Sequence, residues 1–272
     1  MIGLSYGNFQ SGAGFDPDAS AFITAAGITG QTQQAALNQL VLDLKGEGST
    51  TNNSNIWSKF HALYPYCPID GSTATENAYK WNLVDPRDLD AAFRMTWNNS
   101  PTVDISGVTG NGTNAYGNTH FKLSTNGDLN NFGMTLSRTT AAELGGVDVD
   151  FGATDGNITN ISLRNSNILA WRVANSSTSI ASTDGSGIYT GETSTTTDHN
   201  VYKNGTLVYN SSAAKTGSTA IDIYFLARNN SGTAGFFVGA NYNFTAIHQG
   251  MTANEAKDLY DSILKYNTAL GR

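Results

Sequence analysis

The sequence predicts a mainly β chain: an antiparallel sandwich with a small helical amino-terminal segment and one carboxy-terminal helix. Three observations carry this reading. Asn204-Gly205, between Val201-Tyr202-Lys203 and Thr206-Leu207-Val208-Tyr209, supplies the two positive φ angles of a type I′ hairpin turn. From Asn99 to Asn200, short apolar strands alternate with Gly, Asn, Ser and Thr turns at the roughly eight-to-twelve-residue rhythm of a sandwich or barrel. Charged residues are only 14%, and turn and strand formers fill the gap.

Residues 1–15 are Gly-rich and polar and read as an extended arm. Asp16-Pro17 is a helix start, with Asp as N-cap and Pro at the first helical position, so Ala19–Ala26 is a short helix ending at Gly27. Ala36, Leu37, Leu40, Val41 and Leu44 form the apolar stripe of a second helix, Thr32 to Lys45. Ile56, Trp57, Phe60 and Leu63 mark a third, closed by Pro65. These helices hold too few apolar residues to stand alone, and a neighbouring subunit or the β domain must cover them. Tyr79–Leu83 reads as a strand, and Ala91–Asn98 as the first strand of the sandwich.

Strands follow at Phe132–Arg138, Val147–Phe151, Ile158–Leu163, Ile168–Val173 and Gly187–Thr190. Leu169, Trp171 and Val173 share a face, which puts Trp171 in the core. In the hairpin, Tyr202 faces Leu207 and Val201 faces Val208. Ile221–Arg228 then places Asp222, Tyr224, Leu226 and Arg228 opposite an apolar face. Gly235–Ala240 is a short buried strand, and Tyr242–Ile247 closes the meander. Thr252 and Glu255 form a Thr-x-x-Glu capping box ahead of a helix with Ala256, Leu259, Tyr260, Ile263 and Leu270 on its apolar face.

At 272 residues the chain buries a core without covalent help, and its one cysteine, Cys67, excludes an intrachain disulfide. The formal charge is −7 and no Lys or Arg cluster exists, so a nucleic-acid partner is not expected. No apolar run is long enough to span a membrane, and the first residues lack the pattern of a secretory signal.

Candidates for chemistry are few. Gly3-Leu4-Ser5-Tyr6-Gly7 matches a nucleophile elbow in letters but has no room for the preceding strand. His61, His120, His199 and His248 lack metal-type spacing. Asp148, Asp150 and Asp155 are the one set of carboxylates to weigh for calcium, and a solvated strand edge is the plainer reading; no cofactor is expected. Retaining glycoside hydrolysis needs two carboxylates about 5 Å apart. The five glutamates, Glu47, Glu76, Glu143, Glu192 and Glu255, show no such pattern, so the chain is not expected to be an enzyme. For sugar binding, Tyr202, Tyr224 and Arg228 fall on a non-core face, with Tyr189 in a nearby loop. The alternative is ordinary strand tyrosines with wet hydroxyls, or tyrosines buried at a trimer contact.

The order of hairpin, aliphatic strand, glycine-flanked strand ending in Gly239-Ala240, last strand and Met251-Thr252-Ala253-Asn254-Glu255-Ala256 helix resembles the concanavalin A-like jelly roll of the laminin-G type. The run Lys80-Trp81-Asn82-Leu83 with Asp85 to Arg94, and the ending through Ala269-Leu270-Gly271-Arg272, are similar to virion proteins of tailed phages. That resemblance implies a structural virion protein: a tail fibre, spike or head decoration subunit. Residues 1–85 would attach and oligomerise, and residues 86–272 would form the jelly roll. Other virion proteins, further copies of itself, often as a trimer, and a host-surface glycan would be its partners. The competing reading is a free carbohydrate-binding or glycoside-hydrolase-like jelly-roll protein.

Overall fold

The first and last helices form where their caps predict. Asp16 caps α1 (Pro17–Ala26), its carboxylate accepting from the Asp18 N–H at 2.9 Å, and Gly27 closes the helix at φ 69°. Helix α2 (Gln31–Leu44) buries the expected stripe of Ala36, Leu37, Leu40, Val41 and Leu44. The short helices α3 (Glu76–Tyr79) and α4 (Leu123–Asn126) lie between strands, and α5 (Ala253–Ala269) opens with the complete Thr252–Glu255 capping box. The structure, a computed structural model, describes residues 14–141, 148–174 and 176–272. Most of the amino-terminal arm, with Gly3–Gly7, and also Glu143 and Val147, lie outside the described residues.

The strands begin with β1 (Phe60–Tyr64), β2 (Thr96–Asn98), β3 (Thr102–Asp104), β4 (Gly107–Thr109), β5 (Tyr116–Asn118) and β6 (Phe132–Arg138). They continue with β7 (Phe151–Thr154), β8 (Ile158–Asn165), β9 (Ile168–Val173), β10 (Ser176–Ala181), β11 (Gly187–Thr193) and β12 (Asp198–Lys203). The last are β13 (Thr206–Ser212), β14 (Tyr224–Phe225), β15 (Arg228–Asn230), β16 (Thr233–Gly235) and β17 (Asn241–His248). An eight-stranded sheet runs β13-β12-β11-β6-β17-β4-β3, with β1 also on β17. A nine-stranded sheet runs β10-β9-β8-β7-β14-β5-β2, with β15 on β7 and β16 on β15. Among the described residues only the β15–β7 pairing is parallel.

Alternation along these strands builds two cores. Between the sheets lie Phe132, Met134, Leu136, Phe151, Trp171, Phe225 and Tyr242, with Phe132 stacked on Trp171 at 6.1 Å. On the other side of the eight-stranded sheet, Leu63, Tyr202, Phe244 and Ala246 meet Phe22, Leu37, Leu40, Leu259 and Ile263 of the helices. Full burial of each such leucine or phenylalanine stabilises by about 1.5–3 kcal/mol. The surface that α1 and α2 need is therefore supplied by the chain's own sandwich and α5. Lys265 meets Asp43 at 3.1 Å and Lys59 meets Glu255 at 2.7 Å, tying α5 to α2 and to the turn before β1. The layers are helices, sheet, sheet, and the far face of the nine-stranded sheet carries none of α1, α2 and α5.

Several expected elements differ. Ile56–Leu63 is not a helix: a single 3₁₀ turn, Trp57–Lys59, leads into β1, which pairs with β17 from Phe60↔His248 to Tyr64↔Thr245. The segment before residue 85 thus contributes a strand to the sandwich. Tyr79–Leu83 is a helix end and a turn organised by the buried Asn82 side chain, which accepts from Leu63 N–H and donates to His61 O and Ala92 O. Ala91–Asn98 is strand only over Thr96–Asn98, because Phe93 adopts φ 55°. In the hairpin Tyr202 pairs with Leu207 as expected, but a bulge puts Val201 opposite Tyr209 rather than Val208. Ile221–Arg228 is broken at Leu226, φ 66°, into β14 and β15, and of the expected Gly235–Ala240 strand only Gly235 is in a strand, at the end of β16, the rest being a loop in which Phe236 has φ 59°.

Candidate carbohydrate-binding face

The far face of the nine-stranded sheet is built by the residues that alternate with its core positions. Phe151, Ala153, Ile161, Trp171, Val173 and Phe225 point inward, so Gly152, Asn160, Arg172 and Tyr224 point outward. Cross-strand register sets them in one row: Asn118 opposite Tyr224, Tyr224 opposite Gly152, Gly152 opposite Asn160, and Asn160 opposite Arg172. Arg228, on β15, also lies opposite Gly152. Tyr116, two residues before Asn118, stacks on Tyr224 with ring centroids 4.6 Å apart and planes 26° apart. Phe237 lies 6.4 Å from Tyr116, and the Arg228 guanidinium sits 3.8 Å over the ring of Phe236.

Tyr224 is only 8% exposed, and the half-buried Tyr116, Phe236 and Phe237 supply the accessible aromatic surface. Burial raises the Tyr224 hydroxyl above its ordinary pKa, so it stays a neutral donor and acceptor. Burial lowers the Arg228 pKa, and the neighbouring Arg172 charge adds to the shift. This combination of a flat apolar ring surface with fixed polar groups beside it is what a sugar ring requires.

The row continues into a polar cleft of about 390 Å³ lined by Asp90, Phe93, His120, Lys122 and Asp222. Asn118 links the two, donating to Asp222 at 3.0 Å. His120, at φ 58°, reaches Thr96 Oγ1 at 2.8 Å and Asp90 at 3.4 Å through Nε2, and faces Asp222 at 3.9 Å through Nδ1. Burial lowers the His120 pKa against the pull of the two carboxylates. Asp90 is held by Arg94 at 2.9 Å and Asp222 by the Asn118 amide. The cleft therefore suits hydrogen bonding to hydroxyl groups rather than an unencumbered carboxylate pair.

The four residues expected to bind sugar do not converge. Tyr224 and Arg228 share the far face, but Tyr189 and Tyr202 belong to the other sheet. Tyr189 is not in a loop: it sits on β11 in the inter-sheet core, fully buried, with its hydroxyl donating to Asp184 O at 2.8 Å and Lys203 over its ring. Tyr202 is 5% exposed because its face is packed under the helical layer. Asp148, Asp150 and Asp155 do not form a solvated edge either. Asp150 is fully buried, pairing with Arg138 at 3.0 Å and accepting from the Leu163 N–H and the Tyr242 hydroxyl. Asp148 is 4% exposed, and Asp155 accepts the Ala220 N–H at 2.6 Å. Among the described residues no group of three or more His, Cys, Asp or Glu side chains is placed to hold a metal ion. Tyr116, Arg172, Phe236, Phe237 and the His120 cleft had no sequence signal, because their value lies in register and in a loop.

No family model matches the sequence, and no curated protein matches it. Solved structures overlap its fold. A mutant of Trypanosoma rangeli sialidase displaying trans-sialidase activity aligns at TM-score 0.53 with 11% identity, over 86% of this chain and 38% of that one. The binding domain of botulinum neurotoxin DC, solved with rat synaptotagmin II, aligns at 0.50 with 11% identity, over 76% of this chain and 52% of that one. The chain thus spans about half or less of either structure. At this identity the likeness establishes a jelly-roll sandwich and nothing finer.

Proposed function

We propose that the chain is a carbohydrate-binding jelly-roll protein without catalytic activity, and that it binds through the far face of its nine-stranded sheet. One observation carries the reading: Tyr116 stacked on Tyr224, with Phe237 and Arg228 alongside, on a sheet face that α1, α2 and α5 leave open. The other sheet's outer face is packed against those helices over β1, β11, β12 and β17. A fold shared with a sialidase structure and with a toxin's binding domain suits a binding role.

A glycan array with the full chain, followed by titration of the best ligand, tests this. Tyr116→Ala should weaken binding roughly 3–10-fold, the worth of one aromatic contact, and no reducing sugar should be released. Failure to bind any glycan, or binding indifferent to Tyr116→Ala, overturns it.

Carriage on a tailed-phage virion is the second reading, favoured by the resemblance of Lys80–Arg94 and Met251–Arg272 to phage virion proteins. The apolar stripes of α1 and α2 are covered within the chain, so assembly into trimers or onto a particle would use another surface. Light scattering on the purified chain tests self-association, and a monomer would count against the trimeric form of this reading.

A further inference from the structure

We infer that the far face is specific for an acidic sugar, whose anionic group is held by Arg172 and Arg228. This rests on the glycan-binding reading and narrows it.

The first ground is charge pairing. Every other lysine and arginine meets a carboxylate, or a carbonyl or side-chain amide oxygen: Lys45 has Asp16, Arg138 has Asp150, Arg164 has Asn167, and Arg272 has the carbonyls of Pro65 and Tyr66. Among the described residues Arg172 and Arg228 have no such partner, although the chain is acidic at −7 and carboxylates are plentiful. They belong to one cross-strand row, separated by Gly152 and Asn160. Their like charges are close enough that Arg172 depresses the basicity of Arg228. Two unpaired cations on one face are an unfavourable arrangement that an anion between them reverses.

The second ground is orphaned polar atoms. The Arg228 Nε–H is buried with no acceptor, and Asn160, fully buried, has an Oδ1 with no donor. Buried polar groups without partners cost free energy and are uncommon. An anionic group against the half-buried Arg228 guanidinium satisfies the first. Phe236 fixes the plane of Arg228 by lying 3.8 Å beneath it, leaving the edge of the guanidinium as a fork for a carboxylate. Gly152 keeps the floor between them low: a Cβ there would lie 2.3 Å from the Asn160 side chain. The Tyr116–Tyr224 stack next along the row supplies the apolar surface for the sugar ring itself.

The experiment titrates the full chain with three probes: an oligogalacturonate, the same oligosaccharide with its carboxyl groups reduced, and a sulfated oligosaccharide of similar length. The inference expects the oligogalacturonate or the sulfated sugar to bind at least about tenfold tighter than the reduced one. Preference for the carboxylate alone, or for both anions, supports it and identifies the anion. Arg172→Gln and Arg228→Gln should each remove most of that preference, read as the ratio of acidic-sugar to reduced-sugar affinity. Arg172 is half-exposed, so its variant serves if Arg228→Gln melts early. Equal affinity for acidic and reduced sugars, or glutamine variants with undiminished preference, overturns the inference. If the reduced sugar binds equally well and Tyr116→Ala abolishes this, glycan binding stands and the acidic specificity falls. If none of the probes binds, the acidic-sugar inference falls, and the array decides the broader reading.

Discussion

Two buried titratable groups on the helix side of the eight-stranded sheet oppose each other in the pH dependence of stability. Glu192, on β11, is fully buried, and burial raises its carboxyl to about 7 from 4.5, against the hydrogen bond from the Asn200 amide. His248, on β17, is fully buried between Thr135 Oγ1 at 2.9 Å and Gln249 O at 2.7 Å, and burial lowers it to about 4 from 6.5. Between pH 4.5 and 7 native Glu192 holds a proton that the unfolded chain has lost, so its contribution is full below 4.5 and disappears as pH rises. Between pH 6.5 and 4 the unfolded His248 takes a proton that the native one refuses, so its contribution is full above 6.5 and disappears as pH falls. Each displacement corresponds to about 3 kcal/mol. The two slopes cancel from about pH 4.5 to 6.5, leaving a flat profile from this pair.

Glu192→Gln separates them. Urea unfolding of the native protein and the variant at half-unit steps from pH 4 to 8 gives a difference curve in which all other titrating groups drop out. Relative to the native protein, the variant should gain nothing in stability from pH 4 to 4.5, then about 3 kcal/mol by pH 7 to 8, with the rise centred between. Its own stability should fall toward pH 4 as His248 is unmasked. A difference independent of pH would refute the reasoning, because it would mean that Glu192 titrates alike in the folded and unfolded chain.

Three further outcomes follow from the packing. Asp150→Ala strands the Arg138 guanidinium, whose side chain is 1% exposed, and should cost about 3–5 kcal/mol in urea unfolding; a loss under 1 kcal/mol would show that the pair is not buried as described. Thr252→Ala removes the side-chain half of the α5 capping box and should cost about 1 kcal/mol, with the melting midpoint as readout. Chelation with EDTA should leave that midpoint unchanged, since Asp150 is already neutralised by Arg138 and Asp155 is used by Ala220; a rise of the midpoint on adding calcium would contradict this.

The sequence is most legible where geometry is local. Asn204-Gly205 takes φ 51° and 72° in the hairpin, Thr252 and Glu255 close their box, and Leu169–Val173 alternate as read. It misleads where a distant partner decides. Phe60–Tyr64 has helix-like spacing with Ile56, yet it is a strand because β17, far along the chain, offers it an edge. Tyr202 looks like an outward tyrosine because alternation distinguishes two faces but does not say which one α5 covers. The break at Leu226 has no glycine to announce it, and it is this break that turns Arg228 back beside Gly152. Of the proposed binding face, Tyr224 and Arg228, two residues of six, could be named from the sequence. Tyr116, Arg172, Phe236 and Phe237 join it only through sheet order and one loop.

Hydrogen–deuterium exchange of the full chain, with and without the tightest glycan from the array, tests the location of the proposed binding face most directly. The account predicts slowed exchange across 116–118, 152–160, 170–172 and 224–237, with the helical layer unchanged. Protection confined to α1, α2 and α5, or to the β12–β13 hairpin, would contradict it.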